Sequence, residues 1–460
     1  MLKNFVKHRH TLVFFGLSLI LLFSQALGFN ASANTQIKLD GAGHLDFPYG
    51  STVVSSPSGD KSESKLWWND GLWWGSLWNP GGNAYHIYQL SWGSQTWLDT
   101  GAQVDDRPES KADVLWDESK EKLYIVSHIY HPNASSVKED ANKGRLYRFS
   151  YDKSTQNYEL DPGFPTLVNN DKTETLVLAK DSTGRLWVTY VSRDPAIDPN
   201  DYMVYANVSN DDGLTWETPF PLPVSGIHVF EDDIASVVAF RDNGGSKIGI
   251  MWSNQLSKSL NFATHGDSVA DPHTGWNLKS VGIGGYSIDD HINLKSLRSN
   301  SSGQVFGVIK TGATQPTHPL IVLVARDMDG SFSLHVYSTK ADDDTRPIML
   351  IDEADQTDPN DDKVYVFVSG REFGSEICYK TLAIKSPLSA MGDFPDGDCG
   401  ILFIKDSTYK NIDNATTTKQ NVNKTTGLVV LASDDINGKV YLHNSIGDRL
   451  TYLPLLMKNP

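Results

Sequence analysis

Cysteine is nearly missing from this 460-residue chain, which carries only Cys378 and Cys399. Two thiols exclude a cysteine-rich metal cluster, and no metal-binding cysteine spacing is present. Positive charge is also short: 40 Lys and Arg stand against 56 Asp and Glu, a formal net charge of −16. That balance excludes non-specific nucleic-acid binding, which needs a basic surface. Helical periodicity is almost absent, which argues against an α/β fold. Only one long apolar run occurs, Thr11 to Ser24, so no later segment is expected to cross a bilayer.

That run belongs to a targeting signal. Lys3, Lys7 and Arg9 precede it, and Ala31-Ser32-Ala33 follows with small residues at the cleavage spacing. Residues 1–33 are read as a signal peptide and the mature chain as a secreted, extracellular monomer. In such a chain the cysteine pair is expected to form one disulfide, Cys378–Cys399.

What the chain does have is a repeat. Seven segments share a polar or glycine-bearing turn followed by a short apolar run rich in β-formers. They start at Leu72, Leu123, Leu186, Ile248, Val305, Val364 and Val440. The last gap, from Val364 to Val440, is the longest at 76 residues. An apolar strand precedes each turn, at Ala112–Trp116, Leu176–Ala179, Ser236–Phe240, Leu294–Leu297, Ile348–Ile351 and Gly427–Leu431. In Leu186–Val191 both faces are apolar, which requires a sheet on each side. Radially stacked blades meet that demand. The expectation is an all-β fold, a β-propeller of seven four-stranded blades over residues 50–446, with six or eight blades as alternatives. Residues 34–49 are expected to close the ring, with Thr35–Leu39 as the missing outer strand. Residues 447–460 form an apolar tail.

Ser209-Asn210-Asp211-Asp212-Gly213-Leu214-Thr215-Trp216 reads S-x-D-x-G-x-T-W. Asp211 suits a turn in which its carboxylate accepts backbone N–H groups, and Gly213 suits a positive φ. Trp216 supplies an apolar plate for packing between sheets. The stretch and the repeat together resemble the sialidase-like, BNR-repeat (Asp-box) propeller superfamily. Ser209, Asp211, Gly213 and Trp216 are structural in that reading, and Asp211 is not catalytic.

Strand direction gathers the starts of first strands and the ends of second strands on one rim. Asp105-Asp106-Arg107, Asp171-Lys172, Asp232-Asp233, Asp289-Asp290-His291 and Asp343-Asp344-Thr345-Arg346 fall at the former. His128, Arg193, Lys310, Arg371 and His443 fall at the latter. Carboxylates and cations crowded at one mouth shift each other's pKa values, as acid–base chemistry requires. Alternation places His291, Asn293 and Lys295 on one face of an inner strand, so a polar neighbour such as channel water or a ligand is expected there.

The resemblance implies an acidic-glycan partner, a carboxylate grip by Arg107, Arg346 and either Arg193 or Arg371, and acidic catalysts. A hydrolase would draw its acid and base from Asp106, Asp233, Asp289 and Asp290. A polysaccharide lyase on the same fold would use His291 or His128 as base, with Arg107 or Arg346 neutralising a uronate. A non-catalytic glycan- or protein-binding propeller is the third reading. His128, Lys172 and Lys310 complete the substrate-binding set. No cofactor is required. Asp342-Asp343-Asp344 and Asp358 to Asp362 offer oxygen ligands for Ca²⁺, with solvated turns as the plainer account.

Overall fold

Short apolar runs separated by breaker turns can only pair locally, and here each run pairs antiparallel with the next. A computed structural model describes residues 42–447, apart from 54–55, 131–142, 194–200, 298–302, 354–360, 371–374 and 398. Seven sheets result, each of four strands or four with one short addition. The inner strands are Leu66–Asn69, Ser110–Asp117, Val177–Lys180, Ala235–Asp242, Ile288–Ser296, Thr345–Asp352 and Ile412–Thr416, for blades one to seven. In the second strand of blade three, Leu186–Arg193, every residue but Arg193 is buried. Both of its faces are covered, so the two-faced apolar pattern has its physical cause.

Aromatic plates fill the spaces between blades. Trp74 of blade one meets Tyr158 of blade two edge-on, with centroids 5.1 Å apart. Trp187 of blade three is fully buried and packs with Ile248 and Trp252 of blade four. Cys378 and Cys399 form the expected disulfide in blade six.

The Asp-box hairpin joins the third and fourth strands of blade three. Asp211 accepts from Thr215 N at 2.8 Å and Thr215 Oγ1 at 2.6 Å. Ser209 Oγ accepts from Gly213 N, and Gly213 takes φ +88°. Trp216 is half-buried against the core shared by blades two and three. The neighbouring Asp212 accepts from Tyr124 Oη at 2.6 Å and lies 3.0 Å from Lys180 Nζ. The motif thus also ties blade three to blade two.

Blade seven departs from the repeat reading. Val440–Ile446 is its third strand, not its second, and Leu428–Asp434 is the second. The true inner strand, Ile412–Thr416, reads IDNAT and has little apolar character to detect. Its pairing shifts register between Asp413 and Thr416. The 76-residue gap therefore hides one extra strand. The fourth strand is His44–Pro48, which pairs with Val440–Ile446 and closes the ring. Thr35–Leu39 is not the closing strand and lies outside the described residues, as do the signal segment and the tail. Among the described residues, no helix is long and apolar enough to cross a membrane.

The axis is filled rather than open. Ser56–Lys65, just before blade one, is almost entirely buried despite its polar sequence. Buried polar groups must find partners, and this segment finds them on many blades. Ser58 Oγ donates to Asn414 O at 2.8 Å, and Ser62 Oγ to Pro347 O at 3.2 Å. Ser64 N donates to Asp113 Oδ1 at 3.0 Å, and Lys65 Nζ to Ala112 O at 2.9 Å. Glu63 Oε1 accepts from His128 Nε2 at 2.7 Å and Leu176 N at 3.0 Å. From the other end, Lys419 reaches Asp113 and the Leu178 carbonyl. About 30 Å³ remains between the two plugs, room for roughly one water.

Candidate axial carboxylate site

The plug delivers Lys61 to the end of the axis where inner strands begin. Lys61 Nζ lies 2.9 Å from Glu174 Oε1 and pairs still more closely with Asp290. Glu174 sits in the connection entering blade three, Asp232 in the turn entering blade four, and Asp290 at the start of blade five. One oxygen from each of the three carboxylates lies within 4.8 Å of the others. That spacing suits a cation, and the cation lodged there is the lysine ammonium.

Blade five contributes three consecutive residues to this cluster because its inner strand is irregular. The pairing register shifts between Ile288 and Ile292, and a bulge re-aims side chains that strict alternation would split between faces. His291 Nδ1 stands 2.6 Å from Asp290 Oδ1. Asp289 pairs with Lys310 Nζ at 2.7 Å.

The environments drive the carboxyls apart. Burial pushes Glu174 up to about 9, with Lys61 opposing and Asp290 adding to the rise. Burial and then Asp290 push Asp232 up to about 6. Burial also works against charge on Asp290, but His291 and Lys61 outweigh it and hold Asp290 well below the ordinary carboxylate range. Lys61 is raised, because Asp290 and Glu174 outweigh its burial. Burial lowers His291. Near pH 6 the cluster thus holds a protonated Glu174, an ionised Asp290 and a half-titrated Asp232. Glu174 is 2% exposed, whereas Asp232 and Asp290 are both partly open.

Of the residues singled out from sequence, Asp289, Asp290, His291 and Lys310 meet here. Lys61 and Glu174 were not among them. Lys61 lies in a stretch whose polarity reads as a solvated loop, and Glu174 lies outside the acidic pairs. Asp232 was noted beside Asp233, but the roles are reversed. Asp233 is fully buried and caps its turn, accepting from Phe230 N and Gln255 N. It cannot reach a ligand.

Other expectations are corrected in the same way. Asp106 stands outside the cluster, its side chain 68% exposed and 3.7 Å from Arg145. Arg107 already spends its planar fork on Asp105, with Nε at 2.9 Å and Nη2 at 2.5 Å, and on the Lys143 carbonyl. Arg193 stacks on Tyr202, 5.5 Å from the ring centroid. Arg371 lies outside the described residues. His128 is fully buried between Glu63 and Thr173, and His291 is 6% exposed, so neither opens onto the rim as a lyase base would. Asn293 and Lys295 face the axis and meet polar neighbours there, Asn293 Nδ2 donating to the Ser62 carbonyl at 2.9 Å and Lys295 Nζ to the Thr418 carbonyl. His443 is on a third strand and pairs with Asp46 at 2.9 Å. Lys172 is partly exposed before blade three.

Arg346 is held more loosely than Arg107. Its Nη1 is 3.5 Å from Asp413 Oδ2, its side chain is 31% exposed, and its Nε has no hydrogen-bond partner among the described residues. Its φ of +51° is a strained value for a non-glycine residue. Asp60, paired with Lys111 at 3.0 Å, acts electrostatically on both Tyr130 and Asp413. Asp60, next in sequence to Lys61, is thus coupled to groups of blades two and seven.

Among the described residues, neither Asp342–Asp344 nor Asp361–Asp362 belongs to a group of three clustered donors. Asp342 instead accepts from Thr339 N and Thr339 Oγ1 within its own turn. A larger cavity of about 1140 Å³ lies on the opposite face, lined by Asp117, Lys120, Lys180, Asp181 and Arg241. Lys180 there is neutralised by Asp117 at 2.8 Å.

No protein-family model and no curated protein sequence matches the chain. Several solved structures are similar in fold. An ulvan lyase, described as a polysaccharide lyase, aligns at 11% identity and a TM-score of 0.46, covering 88% of this chain and 95% of its own. The α-L-arabinanase of Penicillium chrysogenum aligns at 10% identity and 0.44, covering 75% and 98%. The NanB sialidase of Streptococcus pneumoniae aligns at 12% identity and 0.42, covering 90% and 71%. Identities and scores this low leave the axial cluster to be read from its own atoms.

Proposed function

We propose that this chain is a secreted glycoside hydrolase that opens a glycan at the axial mouth, with Asp232 as general acid and Asp290 as the ionised partner. The observation that carries the reading is the Asp232–Asp290 pair. Both are partly open, both face the same point, and their pKa values are pushed in opposite directions. A carboxyl near 6 keeps a proton to give to a leaving oxygen, while its neighbour keeps a negative charge for the developing oxocarbenium ion. The nearest Asp232 and Asp290 oxygens lie within 4.8 Å of each other. Retaining glycosidases place their carboxyls about 5–5.5 Å apart and inverting ones about 6.5–9.5 Å, so the retaining course is favoured. Asp290 then forms the glycosyl bond as the leaving group takes the Asp232 proton. Water, deprotonated by Asp232, releases the sugar.

Arg346, with a side chain 31% exposed, and Lys310 are the cations that would give the preference for an acidic glycan. The test is a cleavage and binding screen of the mature protein on neutral and uronate- or sialate-bearing glycans, with Asp232→Asn and Asp290→Asn beside it. Cleavage of an acidic glycan with retained anomeric configuration, lost in both variants, supports the reading. Binding without cleavage identifies a binding propeller instead, and an unsaturated product identifies a lyase.

A further inference from the structure

Lys61 belongs to no blade. It is carried by the buried segment Ser56–Lys65, whose backbone is held from several sides. Asn293 Nδ2 donates to the Ser62 carbonyl at 2.9 Å, and the Ser62 hydroxyl donates to Pro347 O at 3.2 Å. One residue further, Glu63 is fixed by His128 and Leu176. The lysine root therefore cannot drift, and its ammonium is set between Glu174 and Asp290 at 8% exposure.

We propose that Lys61 is a positioning residue that locks Asp290 as an oriented carboxylate and so makes Asp290, not Asp232, the charged member of the pair. The catalytic consequence rests on the hydrolase reading above, while the electrostatic relation does not. The groups facing Lys61 define what its removal exposes. Blade three presents Glu174, blade four Asp232, and blade five Asp289, Asp290, His291 and Lys310. Tyr130 and Lys111 face it from blade two, and Asp60 from its own segment. Lys310 is engaged by Asp289 and Lys111 by Asp60. Without Lys61, Asp290 faces two nearby carboxyls with only a buried imidazole to balance it. A buried carboxylate that loses its opposing cation is driven toward its neutral form by desolvation. Asp290 takes up a proton and loses its fixed orientation.

The experiment needs no substrate for its main arm. Carboxyl-carbon NMR titrations are recorded for the wild type, Lys61→Gln and Lys61→Arg, with melting curves for each. Lys61→Gln keeps a hydrogen-bond donor and removes the charge. The expected result is an Asp290 midpoint that rises by more than about two pH units in Lys61→Gln and returns toward wild type in Lys61→Arg. Where a glycan is cleaved, Lys61→Gln lowers kcat by about 10²-fold with KM nearly unchanged, and its acid limb moves to higher pH. An unmoved Asp290 midpoint in folded Lys61→Gln overturns the proposal. So does a wild-type Asp290 that binds a proton above about pH 4, a result readable even if neither variant folds. Failure to cleave any glycan, with the midpoints moving as stated, removes the hydrolase reading and leaves the role of Lys61 standing.

Discussion

Glu63 and His128 form a fully buried pair, 2.7 Å apart, between the axial plug and the second strand of blade two. Glu63 also caps Leu176 N at the entry to blade three. One carboxylate therefore joins three separate pieces of chain at the centre of the ring.

Replacing Glu63 with Gln is expected to cost about 3–5 kcal/mol at pH 7, because a buried charge network loses a partner. Burial opposes its charge, but His128 outweighs burial and holds Glu63 at about 2. A depressed folded pKa stabilises above the unfolded value and is lost as pH falls from about 4 toward 2. Urea unfolding at pH 7 and pH 3 should show the penalty of Glu63→Gln shrinking in acid; an equal penalty at both values would count against the pair.

Asp344 works in the opposite sense. It is 1% exposed, and burial pushes it up to about 7. A raised folded pKa lowers stability as pH climbs from about 4 through 7, by on the order of 2–4 kcal/mol once complete. Asp344→Asn should therefore raise the melting temperature at pH 8 and leave it unchanged near pH 4. A variant no more stable than wild type at pH 8 would remove this account.

Activity should carry the signature of two carboxyls. Asp232 must hold its proton, so kcat is expected to fall as pH rises through about 6. Asp290 must be ionised, and its depressed value places the acid limb well below that. Asp232→Asn should lower kcat by about 10²–10⁴-fold and abolish the alkaline limb while leaving glycan affinity in place. An alkaline limb that persists in residual Asp232→Asn activity would assign the acid elsewhere.

Ring closure rests on few residues. A chain starting at Tyr49 lacks His44–Pro48 and leaves the outer edge of Val440–Ile446 unpaired. It also strips His443 of Asp46. Thermal unfolding should shift down by several degrees and the protein should associate through the bare edge, visible in light scattering. An unchanged melting temperature would mean that the closing strand is dispensable.

The blades could be read from sequence because their cause is local. Leu186–Arg193 is apolar on both faces, and Asp211, Gly213 and Trp216 each have one turn job to do. Blade seven escaped because Ile412–Thr416 has no apolar alternation and the outer strand of that blade comes from residues 44–48, far away in the chain. The axial site was half visible. Asp289, Asp290 and His291 stand together in the sequence, and a bulge keeps them together in space. Glu174 and Lys61 gave no sign, since nothing local distinguishes a buried polar stretch from a solvated one.

Sequence alone determined the all-β repeat, the hairpin turns and the crowding of charge at strand starts, because each follows from backbone propensity within a few residues. Only the closed ring decided which charges meet. Burial at the axis strips water from Glu174 and Asp232 and pushes both toward the neutral form, while Lys61 and His291, brought beside Asp290 only by the assembled fold, keep that carboxylate charged.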